Sequence, residues 1–544
     1  MEASSLASHS ADTPEFADLL EALARPASYP SHPARVEVTQ THISVVFLAG
    51  DEVYKLKKPV RFSFLDYSTL ELRHKFCEEE VRLNRRLAPT VYLGVVPVLR
   101  SGDTYRVREA VNMRDATVVD YLVRMRRLPP ERTLAALITG GQVTKPGMHA
   151  LAQRLVHFHT TASTHGAAEY GAPATVWQAF ADNFEATAPF VGDTISEQQY
   201  RVIQEFSRTF FDQHQELLKN RVLQDRVREG HGDLRCDHVY FLEEGIAIID
   251  CIEFSPRLRT CDVASELAFL AMDLELRGAV TWADELVHNY TAQTEDEDLF
   301  TLLPFYQCYR AYVRGKVESL KSKEPEIPAA EQERARQHAR RSFRLSYRYA
   351  RGTPAPELIV VCGQIGTGKS TIAERLSDQT GFVVLNSDVI RKRIAGPLPS
   401  ARTATDYQAG LYTPEFTRRT YDAMHAAAEE ELRAGLGVIV DATYKDSAHR
   451  RVVRELSVRY HVPVLFVECQ APATIVEQRL QQRQRAGNSA SDATSEIAQR
   501  ERQSFPPFKD LPEQDHFVIN TEGDVEAALS RIDDRLVREN RAST

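Results

Sequence analysis

The run Gly363-Gln364-Ile365-Gly366-Thr367-Gly368-Lys369-Ser370-Thr371 satisfies G-x-x-x-x-G-K-[ST] at every fixed position. An apolar stretch, LIVV, leads into it and a helical pattern, TIAERLSD, leads out. In that setting the glycines let backbone N–H groups curl around phosphate oxygens, and the positive end of the helix adds to the attraction. Lys369 then reaches the β- and γ-phosphates of a nucleotide such as ATP, and Ser370 holds Mg2+.

Other residues downstream have the types such a cradle needs. Asp441 ends the apolar stretch GLGVIV, where a carboxylate either supports the Mg2+ shell or caps a strand. Asp388 follows FVVLNS and precedes Arg391 by three residues. A carboxylate at a strand's C-terminal end is placed to take a proton from a hydroxyl, and an Arg one turn later can hold a phosphate. The plainer reading is a helix cap and a solvated Arg. Arg479 and Arg483 are four apart in a helical pattern, so they share a face and could close over a transferring phosphoryl group. The polar run GNSASDATSE after them is expected to be a mobile lid.

These residues resemble the P-loop small-substrate kinases, over about 356–523. Within that class the likeness is to the zeta-toxin-like, gluconate-kinase-like and polynucleotide-kinase-like group. The resemblance implies that Asp388 activates a substrate hydroxyl and that Arg391 contacts substrate. It does not name the hydroxyl.

A second acidic cluster lies earlier in the chain. His231-Gly232-Asp233-Leu234-Arg235-Cys236-Asp237-His238 sits between a long helical pattern and a short strand, and IIDCIEF follows. The spacing suits one carboxylate, Asp233, that orients a hydroxyl and another, Asp250, that binds Mg2+. A turn and a strand cap would leave the same trace. Glu253 could shape the same pocket, and His157 and His159 read as structural.

The region from about Val36 to Lys321 resembles an aminoglycoside-phosphotransferase-like kinase, with a small β-rich lobe and a larger helical one. That resemblance makes Asp233 the base, Asp250 a metal ligand and Asp262 the brace of the catalytic loop. It makes Lys55 the ATP-phosphate lysine and Glu80 its partner. Lys57 lies on the same strand face, so the choice between the two lysines stays open. Where the family has Asn as second metal ligand this chain has His238, whose nitrogen can ligate although Mg2+ prefers oxygen. Contact with substrate or phosphate is the other role open to it. The small lobe also lacks G-x-G-x-x-G.

These motifs need an α+β, protein-kinase-like two-lobed domain followed by an α/β P-loop domain with a mostly parallel sheet. The expected divisions are an N-terminal extension over 1–33, a kinase-like domain over 34–325, a helical connector over 326–355 and a P-loop domain over 356–544. Taken together, the chain resembles a bacterial family of bifunctional phosphotransferase and ATP-binding proteins. The expected activity is ATP-dependent phosphate transfer to a hydroxyl of a small molecule. Two other readings remain open: a nucleotide switch with a degenerate kinase-like sensing domain, and a kinase of nucleic-acid ends.

Composition narrows this further. Across 544 residues Lys and Arg number 67 against 76 Asp and Glu, a net charge of −9, which disfavours a general polyanion-binding protein. The one basic segment with interleaved aromatics, 334–351, is the only candidate for nucleic-acid stacking. Seven scattered Cys with no CxxC read as reduced thiols. No stretch has the length of a membrane span, so a cytoplasmic location without membrane contact is expected.

Overall fold

The computed structural model describes residues 14–62, 65–108, 116–325, 327–352, 357–395, 413–486, 499, 502, 504–523, 525, 529 and 532. The chain divides into two compact units. The first comprises Met1–Phe180, Phe211–Asp273 and Thr281–Tyr306; the second comprises Ala181–Phe210, Leu274–Val280 and Gln307–Thr544.

The first unit opens on eight strands: β1 Val36–Gln40, β2 Ser44–Ala49, β3 Glu52–Lys57, β4 Arg61–Phe62, β5 Leu65–Asp66, β6 Tyr92–Ser101, β7 Thr104–Val107 and β8 Thr117–Arg126. Six of them form a sheet in the order β1-β2-β3-β8-β6-β7, antiparallel throughout. Alternation along β3 decides which side chains meet. Tyr54 and Leu56 enter a core with Phe47, Val98, Leu122 and the helix Pro14–Leu23. Lys55 and Lys57 therefore face the other way, toward the helix Leu70–Asn84. Thr69 caps that helix by accepting from Leu72 N at 3.2 Å, a contact worth about 1 kcal/mol. On its inner face Cys77 and Val81 pack against Val123 and Met125 of β8. One turn from the helix end this puts Glu80 opposite the two lysines.

Shorter strands carry the rest of the unit's chemistry. They are β9 Val227–Glu229, β10 Val239–Leu242, β11 Gly245–Ile248 and β12 Thr260–Asp262. The hairpin β10-β11 and the pair β9-β12 bracket the loops that hold Asp233 and Asp250.

In the second unit β13 Leu358–Cys362, β14 Val383–Asn386, β15 Val438–Asp441, β16 Val464–Gln470 and β17 His516–Asn520 form a parallel sheet, in the order β14-β15-β13-β16-β17. Leu358, Val360 and Cys362 enter one core while Ile359 and Val361 enter another, as a strand covered on both faces must. The architecture is thus the α+β unit followed by an α/β P-loop unit that the sequence pattern implies.

The helix Ala329–Arg351 belongs to this second unit. Arg341 and Arg344 pair with Glu430 and Glu431 at 3.0 and 2.8 Å, and Arg348 donates to Gly435 O at 2.9 Å. Phe343 and Tyr347 are buried, at 0% and 1% exposure. The stacking surface that the sequence offered for nucleic acid is therefore absent from these two rings, because the packing of the helix consumes them. All seven Cys are free thiols, and no helix among the described residues is long and apolar enough to cross a membrane.

Candidate active sites

Strand β13 is central, with β15 on one flank and β16 on the other, and the chain crosses over it between those two to reach the far side of the sheet. A crevice opens outside the strand ends at such a switch point. Gly363 turns there with φ +123°, where a Cβ would sit 2.4 Å from Cys469 O. Gly368, at φ +87°, caps the helix Lys369–Thr380, and a Cβ on it would come within 3.2 Å of Arg479. Both positions require glycine for φ, and Gly363 requires it for space as well. Lys369 Nζ donates to Gln364 O at 2.7 Å, folded against the loop it serves.

Asn386, at the end of β14, ties the site together and was missed on the sequence. Its Nδ2 donates to Asp441 Oδ2 at 2.6 Å and to Ser370 Oγ at 3.4 Å. Its Oδ1 accepts from the N–H groups of Asp388 and Val389, at 2.9 and 3.1 Å. One side chain thus links Ser370, Asp441 and the first turn of the helix Ser387–Ala395 that carries Asp388. The signal was present in N-S-D at a strand-to-helix junction, an Asx cap. Ser370 and Asp441 supply oxygen donors, the set that suits Mg2+. Arg391 is buried, with Nη1 at 3.3 Å from Thr417 Oγ1.

Arg479 lies on the helix Ala473–Ala486. It donates to Thr521 Oγ1 and O at 2.9 and 2.8 Å, and Thr521 Oγ1 donates to Thr367 O at 2.7 Å. A cleft of ≈ 350 Å³ opens beside it, lined by Gly368, Thr371, Ile372, Arg479, Gln482 and Thr521. Arg483 is on the same helix, but its side chain is outside the described residues, as is the segment 487–498 expected to hold the lid.

In the first unit Lys55 Nζ lies 2.9 Å from Glu80 Oε1 and 2.9 Å from Asp250 Oδ1. Lys57 is wholly buried; it meets Glu80 Oε2 at 2.7 Å and also donates to Glu253, which accepts from Tyr67 as well. Of the two lysines Lys55 alone pairs with Asp250 among the described ion pairs, while Lys57 is an internal counter-charge. The Lys55 ammonium holds the Asp250 carboxyl far below the usual carboxylate range, against the opposing effect of burial. Asp233 accepts from Arg235 Nε at 3.0 and 3.1 Å. His238 Nδ1 is 2.8 Å from Asp233 O, and its Nε2 is 3.7 Å from Asp250 Oδ2.

The brace of this loop is Glu266, a correction to the role expected of Asp262. Glu266 Oε1 accepts from His231 N and Gly232 N, both at 2.6 Å, and Oε2 accepts from His159 Nε2 at 3.0 Å. Asp262 is saturated elsewhere: Arg221 reaches it at 2.8 and 2.7 Å and reaches Asp296 at 2.5 Å. His159, read as structural, positions the brace. Burial raises the Glu266 carboxyl, but the hydrogen bond and charge of His159, with His231 and the Gly232 amide, bring it down to about 2.

His231 donates through Nε2 to Ile249 O at 2.8 Å, and its Nδ1 accepts from Asp233 N at 3.3 Å, so the ring is neutral. Burial lowers it to about 4 from 6.5. The unfolded chain then binds more protons between these values, so stability must fall as pH drops from 6.5 to 4, by on the order of 3 kcal/mol from this ring. Depression of Glu266 extends the loss below pH 4.5. Thermal melts from pH 7.5 to 4 are expected to show a falling midpoint that flattens in His231→Gln. An equally steep fall in that variant would remove His231 as the cause.

Fold and geometry together define the class of the second unit: a P-loop NTPase or kinase-like domain. In agreement, residues 358–508 match a family described as an AAA domain, which points to ATP binding of the general P-loop kind. The chain is 31% identical over 471 residues to uncharacterized protein Rv2004c of Mycobacterium tuberculosis, covering 85% of this chain and 89% of that protein. The same figures hold for uncharacterized protein Mb2027c of Mycobacterium bovis. The chain belongs to the family of these two mycobacterial proteins.

Among solved structures, a sugar kinase from Janibacter sp. is 19% identical, with 32% of this chain and 92% of that chain covered and a TM-score of 0.26. A gluconokinase from Sinorhizobium meliloti is 15% identical, covering 34% and 94%, with a TM-score of 0.25. The APS kinase CysC of M. tuberculosis is 20% identical, covering 34% and 98%, with a TM-score of 0.24. At TM-scores this low, none of them bears on what this chain binds.

Proposed function

We propose that the chain is an ATP-dependent phosphotransferase with two nucleotide-binding modules, acting on a hydroxyl of a small molecule in the cytoplasm. The observation that carries this reading is the gathering of Ser370, Asp441 and the Asp388 helix around Asn386 at the end of the P-loop strand. Lys369 and the loop amides would neutralise charge on the transferring phosphoryl group, with Arg479 and Arg483 closing over it. Asp388 would take the proton of the attacking hydroxyl, and Arg391 would hold the substrate. Bound Mg2+, with Ser370 and Asp441 as its protein ligands, would supply charge neutralisation between the phosphates.

The same logic extends to the first unit. Lys55, held by Glu80, would grip the nucleotide phosphates, Asp233 would be the base and Asp250 with His238 would face the metal. On this reading the first unit is kin to aminoglycoside-phosphotransferase-like proteins, and the second to zeta-toxin-like and polynucleotide-kinase-like proteins. A small-molecule acceptor is favoured over nucleic-acid ends because Phe343 and Tyr347 of the basic helix are spent on packing.

The test is to incubate the full chain with ATP and a mixture of hydroxyl-bearing metabolites and identify phosphorylated products by mass. For a product made at the first site, Asp233→Asn is expected to slow formation by roughly 10²–10⁴-fold, the range for loss of a general base. Product formation unaffected by Asp233→Asn and Lys369→Ala alike would defeat the reading.

A further inference from the structure

We propose that Lys57 is a positioning residue that sets nucleotide affinity at the first site: it cancels the charge of Glu253 and holds the second oxygen of Glu80, which leaves the Lys55 ammonium to grip phosphate. The inference rests on the reading of the first unit as a nucleotide-binding site, and it concerns what sets the strength of that grip.

Lys57 cannot touch a ligand itself. Its side chain is 0% exposed, whereas that of Lys55 keeps 15% and that of Asp250 48%. Alternation along β3 puts the two lysines on one face, two residues apart, so a second cation stands behind the first. Glu80 divides its carboxylate between them, with Oε1 2.9 Å from Lys55 Nζ and Oε2 2.7 Å from Lys57 Nζ. From the far side Lys57 donates to Glu253, which also accepts from the Tyr67 hydroxyl, and Lys57 Nζ lies 3.3 Å from Tyr67 Oη.

These contacts join separate parts of the unit. Glu80 comes from the helix Leu70–Asn84, Lys57 from the end of β3, Tyr67 follows β5, and Glu253 lies three residues after Asp250. The helix has its own tie to that last segment: Asn84 accepts from Cys251 N at 2.9 Å and donates to Glu80 O at 2.9 Å. Arg259 donates to Glu253 O at 3.0 Å and to Glu79 Oε1 at 3.0 Å. With the backbone held at these points, loss of Lys57 is felt as a change of charge rather than as release of the helix.

Burying an ammonium is expensive, so a wholly enclosed lysine needs a compensating charge. Burial pushes the Lys57 ammonium down, but Glu253 and Glu80 hold it above the ordinary lysine range, so it stays charged. Two ammoniums here face three carboxylates, those of Glu80, Glu253 and Asp250. Without Lys57, Lys55 alone would answer all three, and negative charge would accumulate where nucleotide phosphates must enter. With Lys57 in place Glu253 is neutralised. Solvent screens such enclosed charges weakly, so one unit of charge in this cluster is felt at the phosphates.

The experiment measures binding of a non-hydrolysable ATP analogue to the full chain by calorimetry, in a Lys369→Ala background that weakens the second site. Lys57→Met is expected to weaken binding on the order of tenfold. Glu253→Gln removes the opposite charge from the same pair and should tighten binding by roughly threefold or more. Both substitutions break one buried contact and both should lower the melting temperature, so opposite shifts in affinity report the charge and not damage to the fold. Combining the two restores the balance and should return affinity to within about threefold of the background. If Lys57→Met does not fold, Glu253→Gln and the double variant carry the test. Failure of Glu253→Gln to tighten binding leaves the nucleotide-site reading standing and overturns this inference. No binding of the analogue in the Lys369→Ala background takes down that reading, and this inference with it.

Discussion

Lys369→Ala is expected to lower phosphate transfer at the P-loop site by roughly 10²–10³-fold, the range for removing one preorganised donor from a developing negative charge. The side chain already lies along the loop, 2.7 Å from Gln364 O, so little reorganisation separates its resting position from one over the phosphates. The substitution leaves the glycine turns and the Asn386 network in place, so the melting temperature should stay within a degree or two of the native value. Because the proposal has two sites, the rate is best measured in an Asp233→Asn background, where the first site contributes little. A rate within threefold of that background would remove Lys369 from the machinery.

Glu266→Ala carries the largest expected loss of stability, about 3–5 kcal/mol, the cost of breaking a buried charged network from one side. The substitution strands the amides of His231 and Gly232 and the Nε2 of His159, all of which now converge on this carboxylate. Unpartnered buried donors lose the full price of their desolvation. Glu266→Gln retains one acceptor oxygen and should fall between the native chain and Ala in chemical denaturation. The loop that follows, with Asp233 in it, should loosen in both variants, and hydrogen exchange at Gly232 N reads that directly. Protection there as high as in the native chain would show that the brace lies elsewhere.

Several parts of this site were legible in the residues alone. The P-loop is a local motif in which one strand, one turn and one helix are contiguous, so its geometry follows from about a dozen neighbouring residues. The first three strands of the parallel sheet were visible as the short apolar runs LIVV, FVVLNS and GLGVIV. The choice between Lys55 and Lys57 was not legible, because residues two apart on a strand share a face and alternation cannot separate them. Burial separates them: Lys57 is enclosed by Glu80, Glu253 and Tyr67, and Lys55 lies between Glu80 and Asp250. Asp262 was mistaken for the brace because its place in the motif says nothing about Arg221, 41 residues earlier, which claims both its oxygens.

Local stretches of the chain thus carry a P-loop motif with its lysine and serine, acidic residues at strand ends, an HGD loop, and two classes of sheet. Tertiary structure alone decided which of these groups meet. The order β14-β15-β13-β16-β17 brings Asp441 beside the P-loop strand, and β14 then delivers Asn386 to join it to Ser370. It likewise turned His159 from a core residue into the support of a loop 72 residues away, and set a histidine nitrogen facing Asp250. The physical reason is that motif geometry comes from short-range backbone constraints, whereas pairing across a sheet and the sharing of a buried charge depend on contacts between distant segments, which no local pattern specifies.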